Sequence, residues 1–173
     1  MTDSGERRTT IRAALETDES AVLALMPELA DFELPTWRDS KDLWQGDAEL
    51  VRKHFAGATD GVTRLLVAVD GSDQVLGLAL VTLGEESLSH RPGAHLEAIV
   101  VAKSGRGLGL GRQLMAATER LAIEEGAQTL TLNAFRQNLR ARSLYESIGF
   151  DGELIRYIKR LDSGAPSGES EQT

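Results

Sequence analysis

Hydrophobic and polar positions along this chain follow two different periods. Six short stretches rich in β-branched and other apolar residues predict strands, over residues 9–15, 62–69, 75–83, 93–102, 129–134 and 154–161. Apolar residues that recur three or four positions apart predict four helices, beginning at Thr17 with a hydroxyl cap and over 47–56, 109–125 and 138–148. The predicted order is β-α-α-β-β-β-α-β-α-β.

The connections between these elements indicate the fold class. Residues 70–73 read Asp-Gly-Ser-Asp, which is a hairpin turn signal between two antiparallel strands. Residues 93–134 form a strand–helix–strand unit, which favours a parallel pair with a right-handed crossover. We therefore expect an α/β fold with a mixed, mostly antiparallel sheet and helices on both of its faces. One domain is predicted over residues 8–161, with polar, disordered termini at 1–7 and 162–173.

The charge and the residue types of the chain exclude several classes of function. The chain has 27 acidic and 19 basic residues and a net charge of −8, which argues against nucleic-acid binding. It has no cysteine, which excludes disulfides, thiolate catalysis and Cys-ligated metals, and its three histidines show no metal-ligand spacing. We expect no metal, no membrane partner and a cytoplasmic location, because the start is polar and no apolar run approaches a membrane span.

A glycine-rich run lies between a predicted strand and a predicted helix: Arg106, Gly107, Leu108, Gly109, Leu110, Gly111 and Arg112. Glycines let backbone N–H groups approach a ligand, and a helix N-terminus presents unpaired N–H groups with partial positive charge. The run thus predicts a phosphate site. A dinucleotide fingerprint and a P-loop both fit poorly, because the spacing is G-x-G-x-G and no Lys-Ser or Lys-Thr follows. A glycine turn without a ligand remains an alternative.

Two motifs together resemble the GNAT superfamily of N-acetyltransferases. The first is Arg106-x-x-Gly109-x-Gly111 after a strand, and the second is the segment from Asn138 to Phe150, similar to the family pattern N-x-x-A-x-x-L-Y-x-x-x-G-F. The resemblance covers most of the chain. Within the superfamily, Leu96-Glu97 and residues 28–33 look most like polyamine-type acetyltransferases.

The resemblance implies acetyl-CoA as co-substrate and a splayed parallel strand pair that receives it. The pantetheine arm would bond to the backbone of strand 93–102 at Ile99, Val100 and Val101, like an added strand. The pyrophosphate would lie on the run from Arg106 to Arg112. Asn138, Ala141 and Tyr145 of the last helix complete the implied cofactor contacts.

Amine acetylation also needs a proton acceptor and a proton donor. An alkylamine arrives protonated, since its pKa is roughly 10, and Glu97 inside an otherwise apolar strand is the candidate base. The alternative is a solvated carboxylate on the outer face, with Glu85 and Glu86 as reserve bases and His95 in a supporting role. The resemblance implies that Tyr145 protonates the leaving thiolate, although its position also suits a core tyrosine.

Acceptor binding is the least defined part of the prediction. The irregular segment 31–46 contains both tryptophans, Trp37 and Trp44, and the family usually builds its acceptor pocket there. Four carboxylates in or next to this segment are candidates to attract a cationic amine, or a solvated run: Asp31, Glu33, Asp39 and Asp42.

The sequence therefore predicts transfer of an acetyl group to a small-molecule primary amine by direct attack in a ternary complex, with a homodimer as the expected assembly. A protein N-terminal or lysine acetyltransferase is the alternative enzyme. A non-catalytic acyl-CoA-binding regulatory domain is the alternative of another class.

Overall fold

The computed structural model describes residues 9–161, so the predicted disordered termini and residue 8 lie outside the described residues. Short 3-10 turns follow β1 and flank α1, α2 and α3, at Glu16–Asp18, Met26–Ala30, Ser40–Leu43 and Lys103–Gly105. The strands and α-helices in this part are β1 Thr10–Ala13, α1 Glu19–Leu25, α2 Gln45–Phe55, β2 Thr63–Val69, β3 Val75–Glu85, β4 Pro92–Val101, α3 Leu110–Glu124, β5 Thr129–Leu132 and α4 Leu139–Ser147.

The strands form one sheet in the order β1-β2-β3-β4-β5. The first three pairings are antiparallel, and β4 pairs with β5 in parallel, which confirms the predicted mixed sheet. Helix α3 makes the crossover between β4 and β5. Strand β3 is buried at seven consecutive positions, from Val75 to Val81, because the sheet is covered on both of its faces.

Two hydrophobic cores lie on opposite faces of the sheet. On one face Val22 of α1 and Val51 of α2 pack against Val67 of β2. On the other, Leu114 of α3 and Tyr145 of α4 pack with residues of β2, β3 and β4. Burial of a leucine such as Leu114 stabilises the fold by about 1.5–3 kcal/mol. The prediction of helices on both faces is confirmed.

The parallel pair opens partway along β4. Its register joins Gly93 with Thr129 and ends at Leu96 with Leu132, whereas β4 continues to Val101. The remaining part of β4 therefore has a strand neighbour only on the β3 side, and alternate backbone groups face a gap on the other. This is the splayed parallel pair that the sequence resemblance implied.

A β-bulge lies in β4 at the point where the pair opens. Leu80 pairs with Ala98 and Val81 pairs with Leu96, so Glu97 is an extra residue without a partner on β3. The bulge reverses the alternation of the strand: Leu96 belongs to the core under α3, and Ala98 belongs to the core under α1 and α2. Bulges re-aim side chains in this way.

The first helical region begins with a 3-10 turn that is fixed by Asp18. The Asp18 carboxylate accepts from the Leu15 N–H at 2.7 Å and pairs with the Arg12 guanidinium at 2.6 Å. The side-chain hydrogen bond from Arg12 holds the pKa of Asp18 below its ordinary value. The prediction that the Thr17 hydroxyl caps this helix is wrong. The side chain that fixes the helix start is that of Asp18, through its hydrogen bond to Leu15 and its ion pair with Arg12.

The predicted final strand over 154–161 is also wrong. Residues 151–161 lie outside helix and strand, and their large apolar side chains are exposed, with Tyr157 88% accessible. A stretch of strand-forming residues becomes a strand only when a neighbouring strand completes its hydrogen bonds. Edge strand β5 is four residues long, and the described structure shows no ladder between it and this segment.

Candidate active site

A cavity of ≈ 390 Å³ occupies the gap between β4 and β5. Residues 96–101 of β4 form one wall of the cavity, and this wall includes Ile99, Val100 and Val101. The opposite wall runs from Leu132 to Phe135, and α4 closes one side with Asn138, Ala141 and Tyr145. All six of the predicted site residues named here are thus brought to one cavity.

The glycine run leads from the cavity into α3. Gly109 is the N-cap with φ +71°, and Gly107 has φ +80°, so both take a left-handed conformation that favours glycine. No side chain caps the helix, which leaves first-turn N–H groups available to an anion. A Cβ at Gly107 would meet nothing within 4 Å, so the turn has open space beside it. The backbone of this turn fits a pyrophosphate.

The two arginines of the run have protein partners in this structure. The Arg106 guanidinium lies 2.7 Å from Asp31 and 3.1 Å from Glu28, and its side-chain hydrogen bond lowers the pKa of Asp31. The Arg112 guanidinium donates to the Ser147 hydroxyl at 2.7 Å. Arg106 and Gly111 line the cavity, whereas Gly107, Leu108, Gly109, Leu110 and Arg112 lie beyond its walls. A phosphate role for either guanidinium requires an exchange of partners.

Glu97 projects from the bulge of β4 into the cavity, where Asp47 of α2 also lies. Asp47 is half-buried, and desolvation together with the charge of Glu97 raises its pKa to about 6. Sequence reasoning missed Asp47 as a site residue. The available signal was its spacing, because it lies four residues before the buried Val51 on the apolar side of the helix.

Tyr145 is 9% exposed and packs its ring against Phe150, with ring centroids 6.0 Å apart. Burial raises its pKa to about 12, so its hydroxyl stays protonated over the neutral range. Within residues 9–161 that hydroxyl has no hydrogen-bond partner. Asn138 caps α4 by accepting from the Ala141 N–H at 3.2 Å, so it holds the helix that carries the phenol.

The reserve bases do not line the cavity. Glu86 accepts from the N–H groups of Leu88 and Ser89 at 2.9 and 2.7 Å, which lowers its pKa to about 2. Glu85 is exposed and lies 3.9 Å from His90. Glu85 is the last residue of β3 and Glu86 follows it in the turn, so both lie beside the start of β4, away from the cavity.

Other polar candidates have structural partners or lie elsewhere. The ring of His95 contacts Thr131 at 2.8 Å and Asn133 at 3.3 Å, so it joins β4 to the β5 side where the pair opens. Asp31 lines the cavity, whereas Glu33, Asp39 and Asp42 do not. Trp44 packs on the core under α1 and α2, and Trp37 contacts the Arg38 guanidinium.

Across residues 9–161, no helix is long and apolar enough to cross a membrane. The same residues contain no group of three His, Asp or Glu side chains that could hold a metal ion. The cytoplasmic location and the absence of a nucleic-acid partner stay predictions.

A sheet opened at a parallel pair, with a helix start that no side chain caps and a phenol beside the gap, is the arrangement that the resemblance to the GNAT superfamily implied. Comparison with known proteins gives the family. The model of the acetyltransferase (GNAT) family matches residues 26–150. The chain belongs to this family.

Individual relatives are more distant. The chain is 33% identical over 87 residues to the N-terminal acetyltransferase A complex catalytic subunit ard1 of Schizosaccharomyces pombe, covering 49% of each protein, so it spans about half of that relative. It is 26% identical to the uncharacterized N-acetyltransferase YhfO of Bacillus subtilis over 82% of this chain and 89% of YhfO.

A solved aminoglycoside N-acetyltransferase in complex with CoA is similar in fold. Its TM-score is 0.67 at 21% identity, with coverage of 93% of this chain and 100% of that one. At that identity the likeness concerns the fold alone.

Proposed function

We propose that this protein transfers the acetyl group of acetyl-CoA to a primary amine of a small molecule, by direct attack within a ternary complex. The observation that carries the proposal is the convergence of a carboxylate, Glu97, and a protonated phenol, Tyr145, on the one cavity beside the open part of β4.

The donor site follows from the backbone. Residues 97–101 of β4 offer unpaired backbone groups to an extended pantetheine arm, in the manner of an added strand. The turn at Gly107 and Gly109 and the first-turn N–H groups of α3 take the pyrophosphate. Bound acetyl-CoA supplies the activated thioester.

The side chains move the protons. Glu97 accepts a proton from the ammonium form of the acceptor, directly or through water, so that the nitrogen lone pair forms the new C–N bond. As the C–S bond breaks, the Tyr145 hydroxyl donates its proton to the sulfur, and the second proton that the nitrogen loses on forming the amide restores the phenol. The Tyr145 hydroxyl holds its proton over the neutral range, so a proton is present to be donated when the thiolate departs.

The test is a thiol-release screen with acetyl-CoA against polyamines, aminoglycosides, amino acids and N-terminal peptides, together with melting curves. We expect release with at least one small amine and a rise in Tm with acetyl-CoA, since a ligand of the folded state stabilises it. No release with any amine would refute the proposal, and a Tm rise without release would favour the regulatory acyl-CoA-binding domain.

A protein N-terminal acetyltransferase is the second candidate, and it is favoured by the 33% identity to ard1. It predicts that N-terminal peptides release thiol faster than any small amine in the same screen.

We also propose that two copies of the chain associate through residues 154–161. Four side chains there are at least 73% exposed: Leu154, Ile155, Tyr157 and Leu161. The outer edge of β5 pairs with no strand in the described part of the chain, so it can accept the same segment from a second copy. Light scattering should give twice 18.7 kDa for the full chain and 18.7 kDa for an Ile155→Asp, Tyr157→Asp variant. A monomeric full chain would refute the association.

A further inference from the structure

Two carboxylates from different layers of the fold line the same cavity. Asp47 lies in the first turn of α2, and Glu97 is the extra residue of the β4 bulge, on the face of the sheet that α2 covers. The two side chains interact electrostatically. Residues fifty positions apart in sequence are thus brought to one place by the packing of a helix on a strand.

The other charged groups of the cavity compensate one another. Glu28 and Asp31, after α1, are paired with Arg106, and the Arg140 guanidinium on α4 acts on Asp31. Among the described residues, neither Asp47 nor Glu97 has an ion-pair or hydrogen-bond partner. The uncompensated negative charge of the cavity is therefore on this carboxylate pair.

A half-buried carboxylate without a cation binds a proton or an ammonium group more strongly than a solvated one. The pKa of Asp47 is about 6, so it lies closer to the pKa of an alkylamine, roughly 10, than the pKa of an ordinary carboxylate does. Proton transfer from the ammonium group to Asp47 is therefore less unfavourable. A pair is better suited than a single group, because one member can hold the transferred proton while the other keeps the charge that attracts the amine.

Resting on the proposed function, we propose that Asp47 acts together with Glu97 as the receptor for the ammonium group of the acceptor and as the store for its proton. The acceptor class that follows is an aliphatic amine without a carboxylate next to its nitrogen. An acceptor carboxylate would have to approach both Asp47 and Glu97, and like charges in a half-buried site repel.

The experiment uses a matched pair of probes, 1,4-diaminobutane and 2,5-diaminoadipate, which differ only by a carboxylate beside each amine. Thiol release from acetyl-CoA is measured from pH 6 to 9 for the full chain and three variants. Asp47→Asn removes the charge, Asp47→Glu keeps it, and Glu49→Gln removes an exposed charge from the same helix as the control.

We expect the unmodified chain to prefer diaminobutane over diaminoadipate in kcat/KM by tenfold or more. Asp47→Asn should lower kcat/KM for diaminobutane by at least tenfold, shrink the preference and change the acid limb of the pH profile, while the Kd of acetyl-CoA stays unchanged. Asp47→Glu should recover part of the loss, and Glu49→Gln should match the unmodified chain.

Equal kinetics for Asp47→Asn and Glu49→Gln, or no preference against diaminoadipate, would overturn this inference while the proposed function stands. Absence of thiol release with every amine tested would instead overturn the proposed function, and this inference with it. A loss in Asp47→Asn that is independent of pH and accompanied by weaker acetyl-CoA binding would indicate a structural role and refute the proposal.

Discussion

Replacing Asp47 by asparagine should make the protein more stable at neutral pH. The folded state holds this carboxylate half-buried, and desolvation raises its pKa from 3.8 to about 6. Folding therefore disfavours the charged form. The amide of asparagine has nearly the same shape and carries no charge, so it escapes the desolvation cost that the carboxylate bears.

The size of the effect follows from the pKa difference. At about 1.36 kcal/mol per pKa unit, the change from 3.8 to about 6 corresponds to an upper limit of about 3 kcal/mol. Asp47 keeps partial access to solvent, which screens the charge, so we expect about 1 kcal/mol. In a protein of this size that raises Tm by about 2–4 °C.

The pH dependence separates this explanation from improved packing. Because the folded-state pKa is raised, both states are protonated well below pH 3.8, and the cost of the charge is absent there. The cost grows between pH 3.8 and 6 and is complete above pH 7. Melting curves of Asp47→Asn and the unmodified chain should therefore coincide near pH 3.5 and separate as pH rises.

Glu49→Gln is the control, because Glu49 is exposed on the same helix, and its Tm should change by less than 1 °C. A Tm difference for Asp47→Asn that is constant from pH 3.5 to 7.5 would refute the electrostatic reasoning. So would a lower Tm at pH 7.5.

Three further substitutions test other parts of the structure. Tyr145→Phe keeps the ring but removes the proton donor, so kcat should fall about 10²-fold with unchanged acetyl-CoA affinity, measured by thiol release and calorimetry. Asp18→Asn breaks the ion pair with Arg12, so it should lower the free energy of unfolding at pH 7 by about 2 kcal/mol and Tm by about 4–8 °C. Because the pKa of Asp18 is lowered in the folded state, the difference in Tm should disappear as pH falls below about 3.8. Gly109→Ala should cost about 1 kcal/mol, seen as lower Tm, and weaken acetyl-CoA binding, because φ is +71°.

Each of these three substitutions has a matched control substitution elsewhere in the same chain. Tyr157→Phe removes a hydroxyl outside the cavity and keeps the ring that the proposed association uses. Asp73→Asn removes an exposed carboxylate that lies 3.5 Å from the Arg12 guanidinium. Gly84→Ala adds a methyl group where nothing lies within 4 Å. Unchanged turnover in Tyr145→Phe would contradict the role of the hydroxyl as proton donor. Equal Tm losses for Asp18→Asn and Asp73→Asn would contradict the importance of the Arg12–Asp18 ion pair. An unaltered Kd and Tm in Gly109→Ala would contradict the need for glycine at this turn.

Local patterns were sufficient for most of the fold. Helix α3 was predicted because Leu110, Leu114 and Ala117 repeat at helical spacing, and the hairpin at 70–73 because its turn residues are local. The prediction of a final strand is wrong because such a strand forms only when the edge of the sheet, at β5, pairs with it. Propensity describes what residues 154–161 can form, whereas pairing with β5 is a property of the whole sheet.

The site shows the same limit. The motif around Asn138 and Tyr145 lies at the start of and within a single helix, so the structure brings both residues to one wall of the cavity. Asp47 was missed because its role depends on how α2 packs across the sheet from Glu97. The partners of Arg106 were missed for the same reason: a guanidinium expected at a phosphate is paired with Glu28 and Asp31, more than seventy residues earlier.

The pairing of Arg106 with Glu28 and Asp31 has a thermodynamic consequence for the order of binding. A donor phosphate that recruits this guanidinium releases two carboxylates that line the same cavity, so donor and cationic acceptor should bind cooperatively. Such coupling is reciprocal: an amine should tighten acetyl-CoA by the same factor by which acetyl-CoA tightens the amine. Calorimetric titration of CoA with and without 1,4-diaminobutane measures that factor, and Arg106→Gln should bring it close to one.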